Sequence, residues 1–434
     1  YSRFFNIKYL FTDQLKVNTI QKNKFSASIK SWIAYDAGNS AFATTVLAAF
    51  FPIFFTQYWA ADIAEIDSAK YYSFALMISN GLLLISAPIV GAITDISGNT
   101  KKLFSKLVLV SIFFTGLLFF LEAGSWLMAL VFFGVANLFF STSNVLYDKI
   151  LIKITTPDLF SKISGYGYAV GYFGGGTLFL LNAIMSLQPG LFGLESQADA
   201  IRWSFLTVSI WWSIFLIPLY INFKDETNSN KNKAVLKNAI FTFINTLKNI
   251  SAHKPSFIFL IAFFLYIDGV HTVMALASTF ALNIGLKSDA IIIALIMVQF
   301  VAFPATLLWA WVADRFNDLL VIFISIFIYI AIIIYSTTLT NAMEFYILAI
   351  LVGSVQGGIQ ASSRSCFAKI IPEEKSGEFF GLFNTFGKAG ALFGPFLVGI
   401  FLIAFNDIRL ALVPIILLFI FGGYILYRYK NEII

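Results

Sequence analysis

A dozen apolar runs, each about twenty residues or more, divide this chain from end to end, and they constrain the fold more than any other feature. Roughly 20 apolar residues form a helix long enough to cross the hydrocarbon layer of a bilayer, about 30 Å thick. In lipid a helix satisfies its own backbone hydrogen bonds, whereas an open strand does not. The runs predict spans at 31–58, 71–94, 103–122, 125–147, 164–186, 203–221, 256–282, 289–312, 319–338, 343–366, 377–404 and 408–427. Only 12% of the residues are charged against 59% hydrophobic. That charge content is about half the usual share for a soluble globular chain, which excludes the soluble classes.

The basic residues orient the spans. Of 29 Lys and Arg, 24 fall on one side, in the N-terminal arm, the loops after even-numbered spans, the C-terminus and the span ends that border them (Lys106 and Arg364). Lys70, Arg202, Lys287 and Arg409 fall on the other side, and Lys388 lies within a span. This positive-inside bias predicts that both termini are cytoplasmic. It accounts for the net charge of +6 without a nucleic-acid partner. Residues 222–254 form the longest polar break, with an amphipathic stretch at 234–250. The organisation expected is a cytoplasmic arm (1–30), a six-helix half (31–221), a cytoplasmic loop (222–254) and a second half (255–434). The arm reads equally well as an interfacial helix or as disordered chain. The first apolar run is too long for a signal peptide and reads as a signal anchor. The lone Cys366 rules out an intrachain disulfide.

The two halves repeat one another. Gly91-Ala-Ile-Thr-Asp95-Ile-Ser-Gly98 follows span two, and Ala310-Trp-Val-Ala-Asp314-Arg315 follows span eight, with Asp95 and Asp314 219 residues apart. Gly171 and Gly175 precede Gly390 and Gly394 by the same 219. The loops 153–165, KITTPDLFSKISG, and 369–377, KIIPEEKSG, also correspond. Two parallel six-helix units are a known transporter plan.

Polar stripes at helical spacing mark every third span. Span one carries Asp36, Asn39, Ser40 and Thr44, and span four Asn137, Ser141, Asn144 and Asp148. Span seven carries Asp268, His271, Thr272 and Thr279, and span ten Gln356, Gln360, Ser363 and Arg364. Spans nine and twelve are almost wholly apolar. This periodicity fits one helix of each triplet lining a central aqueous cavity. Interhelical hydrogen bonding, at roughly 0.6–2 kcal/mol per bond, would not single out these four spans.

The loop GAITDISGNTKK resembles the signature of the major facilitator superfamily, Gly-x-x-x-Asp-x-x-Gly followed by basic residues. It departs from the signature at Asn99 and Thr100, where Arg or Lys is usual. The stretches YDAGNSAFATTVLAAFFPIFF, NVLYDKIL, SGYGYAVGYFGGG, YIDGVHTV and QGGIQASSRSCFAKIIPEEKSGEFFGLFNTFGKAGALFGP are similar to the vacuole-effluxer-like family. That family is named for fungal vacuolar amino-acid exporters and is also found in bacteria. The resemblance implies a major facilitator fold and multi-pass secondary transport, with amino acids as one candidate substrate class. His271 departs from the amide the family would place there.

The expected substrate-contacting residues are Tyr35, Asp36, Asn39, Ser40, Asn137, Asn144, Asp268, His271, Gln356, Gln360 and Lys388. An intramembrane acid is by default a functional hypothesis. Asp36 stands about six residues into its span and Asp268 about thirteen, or roughly 9 and 20 Å along the helix axis. His271, one turn from Asp268, makes a pair able to hold and release a proton near neutral pH. The alternative is a structural hydrogen bond. Lys388 could neutralise Asp36 or Asp268, bind a substrate carboxylate, or snorkel. Gly91, Asp95, Gly98, Lys101, Asp314 and Arg315 are expected to gate. The resemblance implies that Asp95 latches the start of span eleven, near Ser376-Gly377. A solvated loop turn is the plainer reading. The glycines of spans five and eleven predict a close seam between halves, and Gly394-Pro395 a kink.

Neither a Walker motif nor a metal-ligand cluster occurs in the sequence, so no cofactor is expected. The reading is a secondary transporter, most readily a monomer in a bacterial inner membrane. It moves a small polar solute by alternating access with proton coupling. Sugars, peptides and nucleosides are alternative solutes, and a channel, a receptor or an intramembrane enzyme an alternative class.

Overall fold

The computed structural model describes residues 25–225, 253–405 and 407–433. The N-terminal arm and the 234–250 stretch fall outside these ranges. Among the described residues, twelve helices are long and apolar enough to cross a membrane. They are α1 (Ala27–Trp59), α2 (Glu65–Ser97), α3 (Thr100–Leu117), α4 (Trp126–Ile154), α5 (Phe160–Leu187) and α6 (Gln197–Asn222), then α7 (Lys254–Asn283), α8 (Ser288–Arg315), α9 (Asp318–Ser336), α10 (Ala342–Ile370), α11 (Ser376–Phe405) and α12 (Ile408–Arg428). Most cover their apolar runs and continue several residues past them, because the polar ends continue the helix, while α3 and α9 stop short of runs 103–122 and 319–338.

The starts and stops follow local chemistry. Ser196, Asn317 and Asn341 cap α6, α9 and α10 by accepting a backbone N–H three residues on, the usual work of short polar side chains at an N-cap. Gly98 ends α2 at φ +68°, a left-handed position that glycine adopts without a Cβ penalty. α1 widens to π-type turns over Phe42–Phe50 and Phe55–Trp59, where Phe51 N–H bonds to the Val46 carbonyl and Ala60 N–H to that of Phe55.

Helices α1–α6 pack into one half and α7–α12 into the other. Within the first half, Phe42, Phe51, Phe133, Trp59, Phe205 and Trp212 are fully or almost fully buried. Full burial of such a side chain stabilises by about 1.5–3 kcal/mol when the alternative is water. Apart from Asp318 at its start, which meets Ser161 of α5, α9 packs mainly within its own half, as does α12, and the two turn Phe327, Ile334 and Phe421 outward. The halves meet through α2, α4 and α5 on one side and α8, α10 and α11 on the other. The end of the bundle that holds the turns at Gly98, Thr156, Phe316 and Pro372 is called here the basic end.

The glycine seam differs in detail from the expectation. Gly165 and Gly176 of α5 do face the other half, against Ala310 and Gln299 of α8. Gly174 and Gly175 instead admit α1 of their own half at Ala37 and Ser40. On α11 the cross-half glycines are Gly377, against Gly91, and Gly381, against Pro88. Gly387 and Gly394 pack against α7, and Gly399 meets nothing within 4 Å. α11 runs continuously through Pro395.

The repeat is visible in the packing. Gly175 lies against Ser40, and Gly394, 219 residues later, against Thr272. Asp36 and Asp268, each four residues before that hydroxyl, therefore occupy equivalent places, although they stand at different distances from their helix starts.

Candidate functional site

The site is a plug with a layer of half-buried polar side chains above it. Arg364 of α10 forms the centre of the plug and is only 3% exposed. Its Nε donates to Ser164 Oγ at 2.9 Å and one Nη to the Ser164 carbonyl at 3.0 Å, both on α5. The other Nη lies 3.4 Å from Asp148 Oδ1 on α4. Asn384 of α11 donates to the second Asp148 oxygen at 2.9 Å. These bonds all cross between halves. A buried cation is tolerated only when its donors and charge are met, so the plug closes the basic side of the bundle.

Two further clusters close the rim. Asp95, at the end of α2, accepts from the backbone N–H groups of Gly377 and Glu378 at 3.0 and 2.8 Å and pairs with Lys149 at 2.6 Å. The first turn of a helix offers unpaired N–H groups and a partial positive charge, so a carboxylate docks there well. On the opposite flank Asp318 Oδ2 accepts from Ser161 at 3.1 Å, from Ser365 at 3.1 Å and from Lys369 at 2.7 Å.

One helical turn farther from the basic end, on the same faces, stand Asn144 above Asp148, Gln360 above Arg364, Lys388 above Asn384 and Tyr172 above Tyr168. Asn144, Gln360 and Lys388 are half-buried, as is His271 on α7. Gln360 reaches the Tyr172 hydroxyl at 3.5 Å. His271 lies beside Gly387 and Lys388. Buried polar atoms without a protein partner among the described residues include Asp36 Oδ2, Asn39 Oδ1, Asn144 Oδ1, His271 Nδ1, Asp268 Oδ2 and Thr272 Oγ1. Such atoms cost stability unless water or a ligand serves them.

Several expected contacts are otherwise. Tyr35 is wholly buried in its own half, its hydroxyl accepting from Trp212 Nε1 at 3.1 Å and its ring edge-on to Phe104. Asn137 ties α4 to α2 through Ser79 at 3.1 Å; it is helix–helix glue. Gln356 is buried in α10. Ser40 is half-buried against Gly171 and Gly175. Asp268 does not pair with His271. Its Oδ1 accepts from Gly394 N–H at 2.9 Å, because α11 rather than the next turn of α7 presents the free donor. Lys388 has no hydrogen-bond or ion-pair partner among the described residues, so it neutralises neither Asp36 nor Asp268 in this conformation.

The expected rim residues also divide. Gly91 and Asp95 lie at the cross-half contact, and Gly98 shapes the turn behind it. Asp314 and Arg315 are exposed and form no cross-half bond; Asp318, one turn later, takes the place expected for Asp314. Lys101 stays within its half, its N–H bonded to Asp225 and its ammonium over the Tyr220 ring at 4.5 Å. Lys149 is the lysine that meets Asp95. Arg364, Asp148, Asn384 and Lys149 were not among the expected site residues. Arg364 and Asp148 close two of the stripes, and that position was the available signal.

Two parallel six-helix halves meeting across intramembrane polar and charged side chains define a transporter of the major facilitator type, not an enzyme. A family profile described as "Vacuole effluxer Atg22 like" matches residues 152–432. The uncharacterized MFS-type transporter YxiO of Bacillus subtilis is 32% identical over 405 residues, 93% of this chain and 95% of that protein. Autophagy-related protein 22 of Saccharomyces cerevisiae is 24% identical over 483 aligned positions, 91% of this chain and 89% of that protein. The human organic anion transporter MFSD10 has a similar fold, with a TM-score of 0.69 at 11% identity, covering 92% of this chain and 99% of its own. The proton:xylose symporter XylE gives 0.67 at 12%, covering 93% and 94%. The chain belongs to the vacuole effluxer Atg22-like family.

Proposed function

We propose that this protein is a secondary transporter that carries a small polar solute by alternating access, its halves (31–221 and 255–434) rocking about the polar layer. The observation that carries the reading is the asymmetry of the interface. The Arg364, Asp95 and Asp318 clusters all lie toward the basic end, and the half-buried Asn144, Gln360 and Lys388 lie just above them. With the basic end cytoplasmic, as the lysine and arginine bias supports, this conformation is closed to the cytoplasm. Both termini are then cytoplasmic, and a bacterial cell membrane is the fitting location.

Lys388 is the proposed anchor for a solute carboxylate, because it is an intramembrane cation with no protein counter-charge among the described residues. Amino acids are the substrate class that this anchor and the family favour. Proton coupling is assigned to Asp268 alone. Its second oxygen has no partner among the described residues, and taking up a proton would remove an intramembrane charge.

The test is uptake of labelled amino acids into proteoliposomes under an imposed pH gradient. Gradient-driven accumulation that is lost in Lys388→Met, and uncoupled from protons in Asp268→Asn, supports the reading. Uptake equal with and without the gradient defeats the proton assignment. Passive conductance to ions would put the protein among channels.

A further inference from the structure

Arg364 sits in an enclosure that belongs entirely to the other half. Its guanidinium carbon lies 4.8 Å from the ring centre of Trp32, 5.5 Å from that of Tyr147 and 4.4 Å from that of Tyr168. Trp32 and Tyr147 stack at 4.3 Å with 6° between planes. They also exchange bonds, Trp32 Nε1 donating to the Tyr147 carbonyl at 2.8 Å and the Tyr147 hydroxyl to the Trp32 carbonyl at 3.0 Å. The walls therefore hold each other in place whether or not Arg364 is present.

Two carboxylates complete the enclosure. Asp148 approaches the guanidinium only at 3.4 Å, long for a charge-assisted bond, which is usually about 2.7–2.9 Å. Asp36 is 5% exposed and its Oδ2 has no hydrogen-bond partner among the described residues. A carbon built on Gly167 would lie 2.9 Å from that oxygen and 3.3 Å from an Nη of Arg364, so acid and cation face each other across a bare glycine. Aromatic faces plus unsaturated carboxylates are the recognition chemistry of an organic cation. Arg364 and Asn384 are attached to the second half, and both withdraw if the halves part at the basic end.

We propose that Trp32, Asp36, Tyr147, Asp148 and Tyr168 form a binding site for the ammonium or guanidinium group of a solute. Arg364 is its tethered competitor, which fills the site when the basic side is closed and vacates it when that side opens. This rests on the alternating-access reading and extends it. The solute is then one that carries a cationic group, and closure of the basic side expels that group from the site.

Methylguanidinium is the probe and urea its neutral counterpart, both applied at millimolar levels to the purified full chain. In Arg364→Ala the half-saturating concentration of methylguanidinium for thermal stabilisation should fall at least tenfold below that of the wild type. The further change Asp36→Asn should abolish the gain, and urea should do nothing. Equal responses of wild type and Arg364→Ala, or a matching effect of urea, overturn the proposal.

If Arg364→Ala does not fold, Ser164→Cys in a Cys366→Ser background decides. In vesicles exposing the basic end, methylguanidinium but not urea should slow its labelling by an impermeant maleimide by severalfold. An unchanged rate overturns the proposal. Cation binding without solute flux would leave the site standing and defeat the transport reading. Flux without cation binding would do the reverse.

Discussion

Asp95→Asn should shift the molecule toward the state open at the basic end. In the described conformation the carboxylate takes two backbone N–H groups of α11, at 3.0 and 2.8 Å. Hydrogen bonds to a charged group contribute roughly 1.5–3 kcal/mol each, and neutral ones roughly 0.5–1.5. The amide keeps one acceptor, so one cross-half bond is lost and the other becomes neutral. The loss is about 2.5–4.5 kcal/mol, charged to the closed state alone because Gly377 and Glu378 leave with the other half. At about 1.4 kcal/mol per factor of ten, the closed-to-open ratio falls by roughly 60- to 1600-fold. Lys149 belongs to the same half as Asp95, and its pairing changes less between states.

The assay is a distance distribution between spin labels at the exposed Asn99 and Glu374, placed on either side of the basic end in a Cys366→Ser background. Wild type should give a short, narrow distance, and Asp95→Asn a longer population. An identical distribution in both would refute the latch argument.

Other substitutions discriminate among neighbours. Asp318→Ala removes the acceptor shared by Ser161, Ser365 and Lys369 and should lower thermal stability by about 3–5 kcal/mol, whereas Asp314→Ala should stay within about 0.5 kcal/mol; equal effects would contradict the assignment. Gly394→Ala would drive a methyl group into Thr272 and Asp268 and should cost about 1–3 kcal/mol, while Gly399→Ala, with open space around it, should not, both read by thermal unfolding. Asp268→Asn keeps an oxygen for Gly394 N–H and should fold normally while losing proton-coupled accumulation; unaltered coupling would remove Asp268 from the proton path.

The membrane made most of the fold legible. Lipid demands long self-bonded helices, so apolar runs and basic loops mark the spans with little ambiguity, and the 219-residue repeat pairs Gly175 with Gly394, although the structure sets them against Ser40 and Thr272 of their own halves and not at the seam expected between halves. Side-chain partners were less legible, because they depend on which helix stands opposite. Asp268 and His271 are one turn apart in sequence, yet the free donor came from Gly394 on α11. Asp314 matched Asp95 by repeat spacing, but α8 ends with that acid pointing to solvent, and Asp318 at the start of α9 meets α5. Arg364 was visible as the last member of a stripe. Its role depends on Trp32, Tyr147 and Tyr168, aromatic residues that polar periodicity does not register.

Two-sided labelling of single cysteines tests the central claim most directly. In the conformation described, cysteines replacing Thr44 and Lys388 should react with an impermeant reagent applied from the face opposite the basic end, and a cysteine replacing Ser161 should be protected from both faces. Thr44 and Lys388 positions sealed from both sides, with a cysteine at the outward-turned Ile334 reacting instead, would contradict a water-filled chamber between the halves.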